Sequence, residues 1–198
     1  MKYIISFSLF VTMIATTRAL SINEILSNPT GDDSGREWIE LYNSSDVPVD
    51  ISTLTISIKG GTFVPITQVS GGTNIPARGY AIIGSTVSGA TRFMLDYPAY
   101  TGPLFRSSIS LVNTGVTSVE IKQEGITVDT LASYTAAKEG SSYAFISGNF
   151  VTGVPSPGEE NKAQVLEEDA PKSPNCILYH FCGGVLSGSL NVLKLLIF

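Results

Sequence analysis

Acidic side chains are the residues of this sequence that could do chemistry, and two of them, Glu37 and Glu40, lie on either side of the single tryptophan in the stretch EWIELYN. A carboxylate pair cleaves a bond when both groups approach it from a few ångströms, as in glycosidases. Side chains alternate between the two faces of a strand, so Glu37 and Glu40 point in opposite directions. The two faces are Glu37, Ile39, Leu41 and Asn43 on one side and Trp38, Glu40 and Tyr42 on the other. The stretch is therefore predicted to be a strand with Ile39 and Leu41 in the core, not a catalytic pair.

An enzymatic alternative is a hydrolase that holds a metal ion with acidic residues from several strands. Its ligands would be Glu24, Glu37, Glu40 and Asp129. The loop NPTGDDSGRE offers a second group of oxygen ligands, but its spacing departs from the calcium-loop pattern. That group is Asp32, Asp33 and Ser34. We expect a solvated turn in which Asp33 or Ser34 caps backbone amides, and we predict no metal site and no cofactor.

Histidine and cysteine occur only near the C terminus, as Cys176, His180 and Cys182. A serine triad, a Cys–His dyad or a histidine metal site needs a histidine within the folded domain. The presumed domain, residues 20–162, contains none, and it has no cysteine for a disulfide. We therefore predict no catalytic residues and a domain stabilised by its hydrophobic core.

The charge distribution bears on the partner. The chain has 12 Lys and Arg against 17 Asp and Glu, a net charge of −5, and the basic residues form no cluster. Phosphate contacts require Lys and Arg concentrated on one surface. No nucleic acid is expected as a partner, and the ligand is expected to be a protein or another surface component.

The two ends of the chain differ from the domain between them. Residues 1–19 contain one early Lys, a short apolar run and small residues, the layout of a secretory signal peptide rather than a membrane anchor. Charge and proline rise together over 163–175, which predicts a linker. Residues 176–198 are apolar to the last residue. They are interpreted as a spanning helix, a processed lipid-anchor signal or a soluble tail with Cys176 paired to Cys182, and the spanning helix is favoured.

Short apolar and β-branched runs, separated by Gly, Pro, Asn and Asp, predict an all-β sandwich or barrel between these ends. Helical periodicity is weak. Gly125, in the turn of QEGI, supplies the positive φ that a tight hairpin needs. The predicted strands are 20–27, 36–43, 49–58, 62–69, 79–84, 108–113, 117–123, 126–133 and 142–147.

Two surface features are candidate sites. Asn43 opens the sequon Asn-Ser-Ser at a strand end and would accept a glycan in a eukaryotic host. Tyr97, Tyr100 and Phe105 belong to a loop rich in aromatic residues and proline, where binding modules often place contacts. The alternative for these three aromatics is a satellite cluster folded under the loop.

The order of the segments resembles the lamin tail domain, an immunoglobulin-like sandwich found at the end of nuclear lamins and as a separate module in many exported proteins. The matching segments, between Ile22 and Asn161, are INEILSNPTGDDSGREWIELYNSS, VDISTLTI, IPARGYAIIG, ISLVNTGVTSVEIKQEGITVDTLAS and PSPGEEN. The resemblance implies an immunoglobulin-like β-sandwich in which the acids of EWIEL are structural or surface groups. It also implies that Leu54 replaces a core aromatic residue, and it supplies no catalytic residues. No heptad rod or nuclear-import cluster is present, so a nuclear lamin is not implied.

The function predicted from these observations is a non-enzymatic, exported lamin-tail-like binding or structural module. It would be secreted or held at the cell surface, with the C-terminal tail as a membrane anchor. One alternative is an accessory subunit that targets an extracellular nuclease or other hydrolase, and another is the metal-dependent hydrolase described above.

Overall fold

A computed structural model describes residues 19–164, with the side chains of residues 86–88 excepted. Within this range the chain forms 14 strands and one helix. In chain order they are β1 (Leu20–Leu26), β2 (Trp38–Asn43), β3 (Val49–Asp50), β4 (Leu54–Ile58), β5 (Val64–Pro65), β6 (Thr67–Ser70), β7 (Asn74–Ile75), β8 (Tyr80–Ser85), α1 (Thr86–Asp96), β9 (Leu104–Ser107), β10 (Val116–Gln123), β11 (Ile126–Thr135), β12 (Ser142–Ile146), β13 (Asn149–Val154) and β14 (Lys162–Ala163).

The strands form two main sheets. The larger has eight strands in the order β14-β13-β12-β1-β2-β8-β9-β6, and the smaller has four in the order β11-β10-β4-β5. Strands β3 and β7 form a separate pair. Neighbouring strands are antiparallel except β8 and β9, which are parallel. A parallel pair needs a crossover connection, and α1 lies in that connection.

The sandwich core lies between the two main sheets. Ile39 and Leu41 from β2 pack in one buried cluster with Ile121 from β10 and Leu54 from β4. The prediction that Ile39 and Leu41 face the core is confirmed, and so is the core position of Leu54. Alternation along β2 sends Trp38 to the other face, as predicted, where it belongs to a second cluster.

The second cluster lies on the outer face of the large sheet under α1, an element that the sequence pattern did not predict. Phe93 of the helix packs edge-on to Trp38, with ring centroids 6.2 Å apart. The helix ends where the backbone N–H of Tyr97 donates to the carbonyl of Phe93 at 2.8 Å. The outer face is therefore covered by the helix and by the loop that follows it.

The hairpin predicted around QEGI is confirmed. It joins β10 to β11 through Glu124 and Gly125, whose φ angles are 51° and 80°. Two consecutive residues with positive φ are the signature of a type I′ turn, which matches the twist of the flanking strands.

The predicted strand 49–58 is divided into β3 and β4 by a turn. Asp50 Oδ1 accepts from the backbone N–H of Ser52 at 2.9 Å, and the N–H of Leu54 donates to the carbonyl of Ile51 at 3.0 Å. The predicted strand 62–69 is divided into β5 and β6, which belong to different sheets. Pro65 has no backbone N–H, so it cannot continue a ladder on both sides.

The predicted strand 108–113 is wrong. The strand in this part of the chain is β9, at Leu104–Ser107. Ile109 and Leu111 are buried, which explains the alternating pattern. The N–H of Leu111, however, donates to the side chain of Glu37 at 3.1 Å instead of to a neighbouring strand. Strands β7, β13 and β14 were not predicted.

No helix within residues 19–164 is long and apolar enough to cross a membrane. The predicted apolar tail, 176–198, lies outside the described residues. So do the predicted signal peptide except for Ala19 and the predicted linker except for its first two residues.

Candidate functional site

Two buried glutamates face each other on the outer side of the large sheet. Glu24 on β1 is the register partner of Glu40 on β2, and both residues are 0 % exposed. The adjacent register pair, Ile25 and Ile39, lies in the sandwich core. Alternation therefore directs both carboxylates away from that core.

Glu24 accepts hydrogen bonds on both of its carboxylate oxygens. The hydroxyl of Ser142, on β12, donates to Oε1. Oε2 accepts from the backbone N–H of Ser156 at 3.1 Å and from the Ser156 hydroxyl at 3.3 Å. This carboxylate thus connects β1 to the neighbouring strand and to the chain that follows β13.

Glu40 is held in the same way by two donors. Nδ2 of Asn23 donates to Oε1 at 2.7 Å, and the backbone N–H of Gly158 donates to Oε2 at 2.6 Å. Asn23 is the extra residue of a β-bulge in β1, because the register with β2 shifts between Ile22 and Glu24. The bulge allows Asn23 and Glu24 to serve the same small site.

The donors Ser156 and Gly158 belong to an irregular stretch, Pro155–Asn161, which we call the closing segment. A turn within it is fixed by the N–H of Glu159, which donates to the carbonyl of Ser156 at 3.0 Å. At its end, Nδ2 of Asn161 donates to the carbonyls of Asn23 and Phe145, each at 3.0 Å. The closing segment is thus attached to the outer face of the sheet mainly by polar contacts.

Burial dominates the electrostatics of the two carboxylates. Loss of hydration, with a smaller contribution from the charge of Glu24, raises the pKa of Glu40 to about 8 against the lowering effect of the hydrogen bonds from Gly158 and Asn23. Burial also raises the pKa of Glu24, opposed by its bonds from Ser142 and Ser156. Within residues 19–164, no Lys or Arg forms an ion pair with either group. The pair consequently retains a proton at neutral pH.

Tyr100 packs beside the carboxylates and the closing segment. Its hydroxyl donates to the carbonyl of Pro103 at 2.9 Å, and its ring meets that of Phe93 edge-on at 5.2 Å. A Cβ added at Gly158 would lie 3.0 Å from this ring, and one added at Gly102 would lie 2.7 Å from its hydroxyl. Glycine at these two positions therefore permits the close packing of Tyr100.

A cleft of about 740 Å³ opens between the closing segment and the loop that follows α1. Three tyrosines, Tyr80, Tyr97 and Tyr100, line it together with five prolines. The prolines are Pro76, Pro98, Pro103, Pro155 and Pro157. Ser156 and Gly158, which hold the buried carboxylates, also belong to its wall. The cleft combines the apolar surfaces of tyrosine and proline rings with backbone polar groups, as small-ligand and peptide sites do.

The charged side chains of the cleft are paired with acids or bases of this chain. Asp96 forms a bidentate pair with Arg36, at 2.7 and 2.8 Å, which holds the pKa of Asp96 below its usual range. Arg78 Nη2 lies 2.9 Å from Asp46 Oδ1. Lys162 Nζ lies 3.1 Å from Glu159 Oε2. The cleft thus presents little uncompensated charge.

The structure separates the three aromatic residues predicted to form a recognition loop. Tyr97 and Tyr100 are half-buried and line the cleft, where they also pack against the second cluster. Phe105 is only 1 % exposed and belongs to the sandwich core. The prediction is wrong for Phe105, because its position on β9 directs the ring between the sheets and away from any ligand.

The four acids of the enzymatic alternative do not converge on one point. Glu24 and Glu40 form the buried pair, whereas Glu37, the residue before β2, accepts from the N–H of Leu111 at 3.1 Å. Asp129 lies on β11, in the smaller sheet, and accepts from the N–H of Ile22 at 2.9 Å. Each acid therefore has a hydrogen-bonding role within the fold.

The predicted glycan acceptor, Asn43, is buried. Asn43 is 0 % exposed, and its Nδ2 donates to the carbonyls of Val47, Ile75 and Pro76 at 2.8, 3.2 and 3.0 Å. Oδ1 accepts from the N–H and the hydroxyl of Ser45. The prediction of a glycan here is wrong for the folded domain, because the nitrogen that would carry the sugar has no access to solvent.

The acidic loop forms a turn with a different capping residue from the one predicted. Asp32, not Asp33 or Ser34, caps the turn by accepting from the N–H of Ser34 at 3.0 Å. Asp33 instead accepts from the side-chain amide of Asn113, and Arg92 lies 3.9 Å from Asp32. Among residues 19–164, no group of three His, Cys, Asp or Glu side chains is placed to hold a metal ion.

The pairing of Glu24 with Glu40 was missed from the sequence. Alternation correctly places Glu40 on the face opposite the core. The pattern does not distinguish an acid exposed to solvent from one covered by another segment of the chain. The signal that could have found the pair is the closing stretch PSPGEEN, whose glycine and serine amides have no strand partner and need acceptors.

An eight-stranded sheet packed against a four-stranded one, with a cleft on the outer face, defines an immunoglobulin-like β-sandwich module. The family model of the lamin tail domain matches residues 14–132, more than half of the chain. The chain therefore belongs to the lamin tail domain family, a family of immunoglobulin-like binding or structural modules, and the resemblance noted in the sequence is confirmed. Searches of curated proteins and of solved structures returned no match to this chain.

Proposed function

We propose that this protein is an exported, non-enzymatic binding module that uses the cleft between the closing segment and the loop after α1 to hold a protein ligand. The observation that carries this proposal is the cleft itself, with Tyr80, Tyr97 and Tyr100 on its walls. Tyrosine supplies a large contact area at low entropic cost and is enriched at interfaces. The acids that an enzyme would use are bound to groups of the fold instead.

The chemistry of the cleft favours an uncharged, extended peptide segment. Its charged residues are already neutralised by Arg36, Asp46 and the Lys162–Glu159 pair. A strongly charged ligand would have to break these pairs or leave its own charge without a partner. Grooves lined by aromatic rings and proline rings are typical sites for extended, proline-containing peptides.

Export is proposed from the sequence alone. Residues 1–19 have the layout of a signal peptide, and the apolar stretch 176–198 is proposed as a membrane anchor. An exported module of this kind would present the cleft to components of the cell surface or the surrounding medium.

The experiment compares two arginine substitutions at exposed alanines. Ala99 lies in the cleft wall, whereas Ala132 lies on β11 in the smaller sheet. Full-length protein with Ala99→Arg or Ala132→Arg would be used to capture surface proteins of the native host. Proteins bound by the parent chain would be identified, and their dissociation constants measured with all three forms.

We expect Ala99→Arg to weaken binding by at least about tenfold, which corresponds to about 1.4 kcal/mol, because the new charge fills the cleft. Ala132→Arg should bind like the parent chain. Equal affinities of the two variants for every captured protein would show that the cleft is not the binding site.

A further inference from the structure

The wall of the cleft and the buried glutamate pair are parts of one unit. Ser156 and Gly158 line the cleft, and the same two residues donate their backbone N–H groups to Glu24 and Glu40. A change in the carboxylates therefore acts directly on the cleft wall, without an intervening element.

We propose that Glu24 and Glu40 form a proton-dependent latch, which holds the closing segment on the sheet while the pair carries a proton and releases it when that proton is lost. The latch would regulate the cleft, and in this respect it rests on the proposed function. Its chemistry does not depend on the identity of the ligand.

The surroundings of the pair explain why loss of the proton favours opening. The titratable groups that interact with Glu40 are Glu24 on β1, Tyr80 on β8 and Tyr100 in the loop after α1. Tyr97 interacts with the charge of Glu24. All are acids, and each has a raised pKa, with burial as the first cause. Two negative charges in this environment gain stability chiefly from water.

Farther charges do not alter this balance. On the closing segment, Glu160 adds negative charge near Tyr80, and Glu159 is paired with Lys162. Arg36, whose charge acts on Tyr97, is engaged by Asp96. None of these groups supplies a counter-ion to the buried pair.

Few apolar contacts hold the closing segment on the sheet. Ser156 is buried, but Pro155 and Pro157 are only half-buried, and the other residues of the segment contribute nothing to either hydrophobic cluster. Release would break the hydrogen bonds from Ser156, Gly158 and Asn161 and leave both sheets intact. Local opening of this kind requires less free energy than global unfolding.

The pKa of Glu40, raised by burial to about 8, sets the pH range of the transition. Between the ordinary glutamate value of 4.5 and this raised pKa, the closed state keeps the proton while the open state has already lost it. The opening equilibrium should therefore increase by about tenfold for each pH unit up to the pKa of the closed state and level off above it, where both states are ionised.

The test measures both events in the full-length chain without any ligand. Carbon-13 labelling of the glutamate carboxyl groups would report the titration of Glu40 by NMR. Amide hydrogen exchange between about pH 6 and about pH 9.5 would report opening as protection factors, which are corrected for the intrinsic effect of pH on exchange. We expect Glu40 to titrate near pH 8. The amides of Ser156 and Gly158 should lose protection progressively from about pH 6 to about pH 8, with no further loss above it. Amides of β2 and β8 should stay protected.

Three variants separate the latch from general effects of pH. Glu40→Gln retains a neutral side chain, and rotation of the Asn23 amide lets its oxygen accept from the new Nε2. In the Glu40→Gln variant, the amide of Gly158 should show no pH-dependent loss of protection. Glu24→Gln can donate to Ser142 Oγ and accept from Ser156, and it should shift the titration of Glu40 and the opening transition to lower pH together. Glu120→Gln, at a solvent-accessible acid bonded to Thr127, should behave like the parent chain.

Two results would overturn the latch. One is a titration of Glu40 near the ordinary glutamate value of about 4.3. The other is a loss of protection at Gly158 that follows pH equally in the parent chain and in whichever glutamine variant folds. Failure of the cleft to bind a ligand would refute the proposed function and leave these readouts unchanged, so the two failures are distinguishable.

Discussion

Stability against pH gives the strongest quantitative prediction, with Glu40→Gln as the perturbation. The pKa of Glu40 is raised from 4.5 to about 8 in the folded protein. The folded state therefore binds this proton more tightly than the unfolded chain does. Its stabilising effect is fully present below about pH 4.5, and it is lost as pH rises to the folded value near 8.

The magnitude follows from the same two values. One pKa unit corresponds to about 1.4 kcal/mol, so the rise from 4.5 to about 8 corresponds to a loss of about 5 kcal/mol over this range. Because Glu40 is 0 % exposed, solvent screening reduces this figure little. Opening of the closing segment provides an alternative to burying the charge, so about 5 kcal/mol is an upper bound. Glu24 contributes a loss in the same direction.

The assay is urea unfolding of the parent chain, Glu40→Gln and Glu120→Gln between about pH 5 and about pH 9. We expect the parent chain and the Glu120→Gln control to lose stability with rising pH, and the curve of Glu40→Gln to be flatter by several kcal/mol across the range. Parallel curves for the parent chain and Glu40→Gln, or a parent chain that becomes more stable as pH rises, would refute the assignment of a protonated Glu40.

Two further predictions concern β2. Ile39→Asp should abolish cooperative melting followed by circular dichroism, because it places a charge at a fully buried position. Glu37→Gln should change the free energy of unfolding by less than about 1 kcal/mol, because glutamine can still accept from the N–H of Leu111. Equal melting temperatures for both variants would contradict the facing of this strand. When the chain is secreted from a eukaryotic host, mass spectrometry should find Asn43 without a glycan in the folded fraction, and a glycosylated, protease-resistant domain would show that the site is accessible.

Alternation of apolar residues predicted the part of the fold that depends on burial between two sheets. The facing of Ile39 and Leu41 and the core position of Leu54 could be read in this way, because a side-chain period of two reports which face of a strand is dry. The hairpin at Gly125 was predictable for a different reason, since its turn needs residues that tolerate positive φ.

The same pattern failed where a segment is buried without pairing in a sheet. Ile109 and Leu111 alternate like a strand, but Glu37 takes the backbone donor that a neighbouring strand would have used. Helix α1 was missed because its crossover between β8 and β9 depends on parallel pairing, which no local pattern encodes. Phe105 was placed on the surface because its flanking Pro and Gly resemble a loop, although the residue belongs to β9.

The choice of glutamate for the two buried positions follows from what the closing segment presents to the sheet. An irregular segment lying across a sheet directs N–H groups of Ser156 and Gly158 downward, and the outer face of β1 and β2 has no free backbone carbonyl row to receive them. A carboxylate has acceptors on both terminal atoms, so it can accept from the closing segment and from a second donor on the sheet at the same time, whereas an amide has a single acceptor oxygen. Two carboxylates placed side by side without a cation cannot both be ionised at neutral pH, so attachment of the segment and its sensitivity to protons have a common origin.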